Sequence, residues 1–343
     1  MIVGSTTYEG LYEYNGTNTQ YELVNTQLNT TSEDIYGNKT VYTNIGKISG
    51  TLQNTDNLTL DQLKTRVNLY NDLSYLELNE NITNMSNMFE GSKLTAVSNF
   101  DTSNVTDMSN MFVQCTNLTT IPNFNTINVT NMSWMFRLCN NLTSIPNFDT
   151  SNVIYINSAF AYCNISSIPN FNISNVEYAG FMFGYCTNLI SVPNFDMRNV
   201  IETYEMFKGC SNLTTIPNFD MPNITNMGSM FAACTNLTSV PNFDTSKVTS
   251  IMAMFIDCVN LVDVPQLNTS NITSFSQMCR GCNNLSNASI QNIINMCLNS
   301  NITNSKRKHL DTSNSYSPLY RTKFDNSYYQ NRWSELTAAG WVY

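Results

Sequence analysis

Pro146-Asn147-Phe148-Asp149-Thr150-Ser151-Asn152-Val153 is one copy of a motif that recurs through the middle of this chain. Pro-Asn-Phe starts at Pro122, Pro146, Pro169, Pro193, Pro217 and Pro241, at intervals of 24, 23, 24, 24 and 24 residues. Working outward, a second marker, Met-Phe, starts at Met88, Met111, Met135, Met182, Met206, Met230 and Met254. Altered copies stand at Ala159-Phe160 and Met278-Cys279. A Cys position, an Asn-rich turn and a Leu-Thr-Ser-Ile type of segment complete the unit. A unit this short cannot bury its own apolar face. Stacked units can, with each apolar position forming a ladder along the axis. The spacing predicts an α/β solenoid of about nine coils.

Within a coil, Leu118–Ile121 and Leu213–Ile216 are too short for helices and read as short parallel strands, one per coil and about 4.8 Å apart. The Asn-Val-Thr-x-Met-x-x-Met-Phe segments space apolar groups by three and four, which predicts a helical or 3₁₀ turn on the opposite side. The Asp column (Asp101, Asp149, Asp196, Asp220, Asp244) precedes that turn and reads as N-capping. Calcium would need several oxygens from one loop, and each coil offers one carboxylate. Residues 1–75 show no repeat. Stretches prone to β-structure at Tyr8–Tyr14 and Thr40–Ile48, then a helical stretch at Leu60–Leu69, suggest a β-rich N-terminal domain for attachment or capping. Residues 76–285 form the solenoid. Residues 286–343 form a C-terminal cap in which Ala288–Leu298, apolar at helical spacing, covers the last coil.

Of the 343 residues, 42% are hydrophobic, enough for a substantial core, and only 12% are charged. That charge is about half the usual share and suits an exterior or assembly-bound protein. Net charge is −9 with 16 Lys and Arg. A nucleic-acid surface needs clustered basic side chains, and the one basic run is Lys306-Arg307-Lys308, beside the only histidine, His309. Nucleic acid is therefore not an expected partner. No stretch approaches the roughly 20 apolar residues of a membrane span, and residues 1–10 lack the regions of a secretory signal.

Cys115, Cys139, Cys163, Cys186, Cys210, Cys234, Cys258 and Cys282 share one position in successive coils and are expected to be buried free thiols. Cys279-Arg280-Gly281-Cys282 has the spacing of half a zinc site but lacks a second pair and a nearby His. No metal or cofactor is expected. A single histidine leaves no catalytic triad. No glycine-rich phosphate loop is present, and no carboxylate pair is singled out. The chain is expected not to be an enzyme.

One departure from the repeat points to binding. Residues around Met-Phe are small or polar in most coils, as in Asp107, Ser109 and Asn110. In the middle coils they become Trp134, Tyr155, Tyr162, Tyr178, Phe181, Tyr185 and Tyr204. Stacking is expected to bring these rings onto one side as a contiguous patch, either a contact surface for a partner or sugar, or a cover for a thin core.

Asn99–Phe112, followed by Cys115-Thr116-Asn117-Leu118-Thr119, resembles the BspA-type leucine-rich-repeat surface proteins, a family rich in bacterial adhesins with copies in phages and some protists. The resemblance implies a leucine-rich-repeat-like stack. Pro-Asn-Phe stands where that family has a longer Leu-Asp-Leu-Ser-Asn-Phe strand, so the unit here is shorter. Trp333–Trp341 is similar to segments that close some phage and prophage structural proteins. The leading reading is a non-enzymatic recognition and assembly protein on a virion exterior, a phage fibre or decoration protein, which needs no export signal. The alternative is a bacterial cell-surface adhesin of the BspA type that binds host proteins or glycans. Expected partners are a protein or glycan on a target surface and other virion or surface proteins through the N-terminal domain. A homo-oligomer is compatible with both readings.

Overall fold

The structure is a computed structural model that describes strand segments between residues 2 and 77, residues 82–302 except 98, and residues 338–339. Leu60–Leu69, the Lys306–His309 run and most of Trp333–Trp341 lie outside the described residues. The N-terminal strands are all short. β1 (Ile2–Val3) pairs antiparallel with β2 (Thr6–Thr7), and β3 (Leu11–Asn15) with β4 (Gln20–Val24). β5 (Thr31–Glu33), β6 (Lys39–Thr43), β7 (Lys47–Gln53) and β8 (Asp72–Glu77) form one sheet in that order, with β7 and β8 parallel.

Residues 82–302 are a solenoid whose coils are numbered here from the Met88 position (coil 1) to the Met278 position (coil 9). Single parallel bridges run through Asn84, Asp107, Asn131, Tyr155, Tyr178, Glu202, Asn226, Ser250 and Ser274. This corrects two expectations. The continuous ladder lies just before the Met-Phe marker, whereas the Leu-Thr-x-Ile side carries only scattered bridges such as Ala96–Thr120 and Ser239–Asp263. No strand longer than a bridge forms there among the described residues. The following proline (Pro122, Pro146 and their equivalents) has no N–H to extend a ladder.

The second correction concerns the Met-Phe segment, which is a run of β-turns and not a helix. Met88 N–H donates to Met85 O, Glu90 N–H to Asn87 O and Ser92 N–H to Phe89 O, each at 3.1–3.3 Å. Alternate amides bond to the next coil: Met85 to Asp107 O (2.8 Å), Asn87 to Ser109 O (2.9 Å), Phe89 to Met111 O (2.8 Å) and Gly91 to Val113 O (2.7 Å), a pattern the later coils repeat. Such turns place two residues per coil in the left-handed region. One column is Asn87, Asn110, Trp134, Ser158, Phe181, Glu205, Ser229, Ala253 and Gln277. The other is Gly91, Gln114, Leu138, Tyr162, Tyr185, Gly209, Ala233, Asp257 and Gly281. A residue with positive φ breaks a helix, so spacing by three and four here marks turns.

The Asp column likewise caps turns. Asp101, Asp149 and Asp244 accept the N–H groups of Ser103, Ser151 and Ser246 at 2.8–3.0 Å, closing Asx turns. The backbone and side-chain hydrogen bonds from Ser103 hold the Asp101 carboxyl below its ordinary range.

Inside, the ladders are continuous. Phe89, Phe112, Phe136, Phe160, Phe183, Phe207, Phe231 and Phe255 stack at 4.9–6.0 Å. Cys139 Sγ donates to Phe112 O at 3.1 Å and Cys210 Sγ to Phe183 O at 3.1 Å, and every other ladder thiol does the same one coil back. The thiols are buried and unbridged. α1 (Asn287–Leu298) starts at the N-cap Ser286 and buries Ile290, Ile293, Ile294 and Met296. It lies on coil 9 through Thr269 Oγ1 to Met296 O (2.7 Å) and Asn292 Nδ2 to Val264 O (2.9 Å).

Candidate functional site

The seven aromatic residues fall in the outward columns of the turn ladder. Trp134 and Phe181 occupy the first left-handed column, Tyr162 and Tyr185 the second. Tyr155 and Tyr178 sit in the bridge column, and Tyr204 precedes the left-handed Glu205. Trp134, Tyr155 and Tyr185 are exposed at 41%, 43% and 36%, and the other four are half-buried.

The structure brings only some of these rings together. Tyr162 and Tyr185 stack at 4.9 Å, with Phe181 edge-on to both at 5.8 and 5.9 Å. The Arg137 guanidinium lies over Tyr162, 5.8 Å from the ring centre. Tyr155 and Tyr178 form a second stack at 5.3 Å. Among the described residues no ring contact joins the two groups, or joins either to Trp134 or Tyr204. The contiguous patch expected from spacing is therefore two ring clusters and two further rings, Ser158 standing between Trp134 and Phe181 in their column and Tyr155 and Tyr178 lying in the separate bridge column.

These positions run against local preference. A left-handed backbone costs a non-glycine residue on the order of 1–2 kcal/mol, yet Trp134, Leu138, Tyr162, Phe181 and Tyr185 all adopt it. In the bridge column, Asn84, Asp107, Asn131 and Asn226 each accept the N–H two residues on. Tyrosine at 155 and 178 has no atom to make that bond. The Arg137 Nε is buried without an acceptor, a loss of about 1–3 kcal/mol. Glycines make room for two of the rings. A Cβ at Gly184 would stand 2.4 Å from the Phe181 ring, and one at Gly209 would stand 2.5 Å from Tyr185. Beside them Lys208 pairs with Glu205. Burial, then the Glu205 carboxylate, push the Tyr204 hydroxyl up.

Arg137, Gly184, Gly209 and the left-handed columns went unnoticed in the sequence. Gly91, Gly209 and Gly281, each two residues after the Met-Phe pair or its Met-Cys copy, were the signal available for the second column. Among the described residues no group of three or more His, Cys, Asp or Glu could hold a metal ion, and no helix is long and apolar enough to cross a membrane.

The fold is weakly similar to two solved leucine-rich-repeat proteins. One, from Bacteroides ovatus ATCC 8483, is 16% identical with a TM-score of 0.36, covering 72% of this chain and 74% of that one. The other, from Eubacterium ventriosum ATCC 27560, is 16% identical with a TM-score of 0.36, covering 71% of this chain and 91% of that one. No curated protein matches the sequence. The family model described as "Mycoplasma protein of unknown function, DUF285" matches residues 65–164, 116–215, 187–293 and 211–314, overlapping stretches that take in most of the chain and all of the solenoid. This chain belongs to that DUF285 repeat family.

Proposed function

We propose that the chain is a non-enzymatic recognition protein displayed on an exterior surface, and that the aromatic side of coils 3–6 binds a protein partner. One observation carries this reading: Trp134, Tyr162, Phe181 and Tyr185 stand in left-handed positions that, Leu138 apart, the other coils fill with small or polar residues. Local strain that packing does not require is a mark of function. The ring geometry favours protein over glycan. A pyranose stacks on an open ring face, but Tyr162 is held between Arg137 and Tyr185, and Tyr185 between Tyr162 and Gly209. Rings that already stack on one another leave little open face for a sugar, which suits a packed protein contact. The exterior surface is that of a virion or of a bacterial cell, and labelled antibody on intact virions and cells distinguishes the two.

The test of the contact is the double variant Trp134→Ser and Tyr185→Ser. Adhesion of the purified chain to target cells should fall by the equivalent of about 2 kcal/mol or more for a central ring, with thermal unfolding little changed. Full adhesion by a folded double variant would overturn the reading and leave the solenoid as a spacer.

A further inference from the structure

A second surface of the same central coils has different chemistry. A groove of 860 Å³ runs along Asn128, Asn152, Asn175, Asn199 and Asn223. Each of these amides is fixed by donating from Nδ2 to a carbonyl of the preceding coil at 2.6–2.7 Å. The bond sets the plane of every amide in the row, with Oδ1 left as an acceptor. At the end of the row, Lys247 takes the ladder position, and its Nζ donates to Asn223 Oδ1 at 2.7 Å. The chain thus shows how an ammonium group sits on this row.

The other wall carries a second departure from the repeat. Thr106, Thr130, Thr225, Thr249 and Thr273 return their hydroxyls to a carbonyl one coil back. In coils 4, 5 and 6 that column becomes Ile154, Glu177 and Ile201, all lining the groove. Glu177 is exposed, and its carboxylate makes no hydrogen bond or ion pair among the described residues. A lone carboxylate between two half-buried isoleucines, facing a row of amide oxygens, is the complement of an alkyl stem ending in a cation.

We propose that this groove binds a lysine-bearing extended segment of a partner protein. The lysine ammonium lies on Glu177 and the flanking Asn oxygens, and its methylenes lie along Ile154 and Ile201. The net charge of −9 assists the approach of a basic segment. This site is independent of the aromatic contact.

The experiment is calorimetric titration of the full chain with acetylated penta-lysine amide at low ionic strength, with penta-glutamine as the neutral control. Saturable binding of the lysine peptide alone is expected, weakening as salt is added. Glu177→Thr, which restores the residue that coils 3 and 7 carry at Thr130 and Thr225, should weaken it about fivefold, the upper range for one exposed ion pair. Ile154→Thr with Ile201→Thr should weaken it further. The Trp134→Ser, Tyr185→Ser double variant should bind the peptide as the parent does, so the two sites succeed or fail separately. No saturable binding, equal binding of penta-glutamine, or unchanged affinity in Glu177→Thr would overturn the proposal.

Discussion

The outer coils around Met88, Met111, Met230 and Met254 and the central coils around Met135, Phe160, Met182 and Met206 share one interior. Phe, Cys, Leu and Val columns run through both, with Ser92 for Cys in coil 1, Ile165 for Leu in coil 4 and Ile224 for Val in coil 7, and are buried throughout. The outside is where they part. Outer coils keep Asn, Ser, Ala or Gly in the left-handed columns more often than large side chains, Asn84, Asp107, Asn226 or Ser250 at the bridge and Thr on the groove wall. Central coils place Trp134, Tyr162, Phe181 and Tyr185 in the left-handed columns, Tyr155 and Tyr178 at the bridge, and Ile154, Glu177 and Ile201 on the groove wall, while coil 3 still keeps Asn131 and Thr130. One inward column also changes, over coils 5 to 7. The buried Thr102, Thr126, Thr150, Thr245 and Thr269 bond to the next coil or to α1 at 2.7 Å, and Ile173, Met197 and Met221 stand in their place. A stack of self-similar coils tolerates such divergence because each coil's packing depends on its neighbours alone.

If the interior is shared, alkali should act on all coils at once, and this is the largest effect expected. Burial pushes the Cys210 thiol from 9.0 up to about 12, and burial raises the other ladder thiols as well. The folded state holds protons that the unfolded state releases. Stability is therefore full below pH 9 and is lost between pH 9 and about 12, at roughly 1.4 kcal/mol per thiol per pH unit. A single cooperative loss of circular dichroism in that window is expected, and separate transitions for central and outer coils would break the comparison. Thiol reagent at pH 8 should find the ladder unreactive until denaturant is added.

The next effect separates position from composition. Phe183 stacks between Phe160 and Phe207 at 5.6 and 5.8 Å. Phe89, in coil 1, stacks in its column on Phe112 alone among the described residues. Phe183→Ala should cost about 3–5 kcal/mol and Phe89→Ala less, measured by urea unfolding. Equal losses would mean that the stack behaves as one block and not as coupled neighbours.

Smaller still is the cost of a methyl group in the second left-handed column. At Gly91 (φ +67°) an added Cβ meets nothing within 4 Å, whereas at Gly209 (φ +74°) it meets the Tyr185 ring at 2.5 Å. Gly91→Ala should lose roughly 1 kcal/mol from backbone strain alone. Gly209→Ala should lose roughly 2–3 kcal/mol, and Tyr185→Ser should reduce the difference. If Gly209→Ala is no worse than Gly91→Ala, the ring does not rest on the glycine.

What the sequence made legible follows from side-chain chemistry. Burial of the Phe, Cys and Leu columns demands one residue type at a fixed interval, so periodicity reveals it. The left-handed columns make no such demand: Asn87, Trp134, Ser158, Phe181 and Glu205 share a backbone angle and no side-chain property. Turn and helix also space apolar residues alike, which is why Met85, Met88 and Phe89 read as a helical face. The aromatic residues were visible as departures from the repeat, but their separation into Tyr162–Phe181–Tyr185 and Tyr155–Tyr178 depends on which column each occupies. The groove was readable by the same means, as an interruption of the Thr column at Ile154, Glu177 and Ile201.

The smallest stability effect gives the sharpest contrast between central and outer coils. Tyr155→Asn returns coil 4 to the residue that coil 3 carries at Asn131, where Oδ1 accepts the Ser133 N–H at 3.0 Å. The variant should regain the equivalent bond to the Asn157 N–H, a gain of about 0.5–1.5 kcal/mol. It gives up the 5.3 Å stack on Tyr178, worth a similar about 0.5–1.5 kcal/mol. The two terms offset, so the unfolding midpoint should hardly move. Adhesion should still weaken, because a 43%-exposed ring has been removed from the proposed contact. A structural role for Tyr155 predicts the reverse, a lower midpoint with adhesion intact. Measuring both quantities on this one variant therefore decides whether the central tyrosines are held for a partner or for the coil itself.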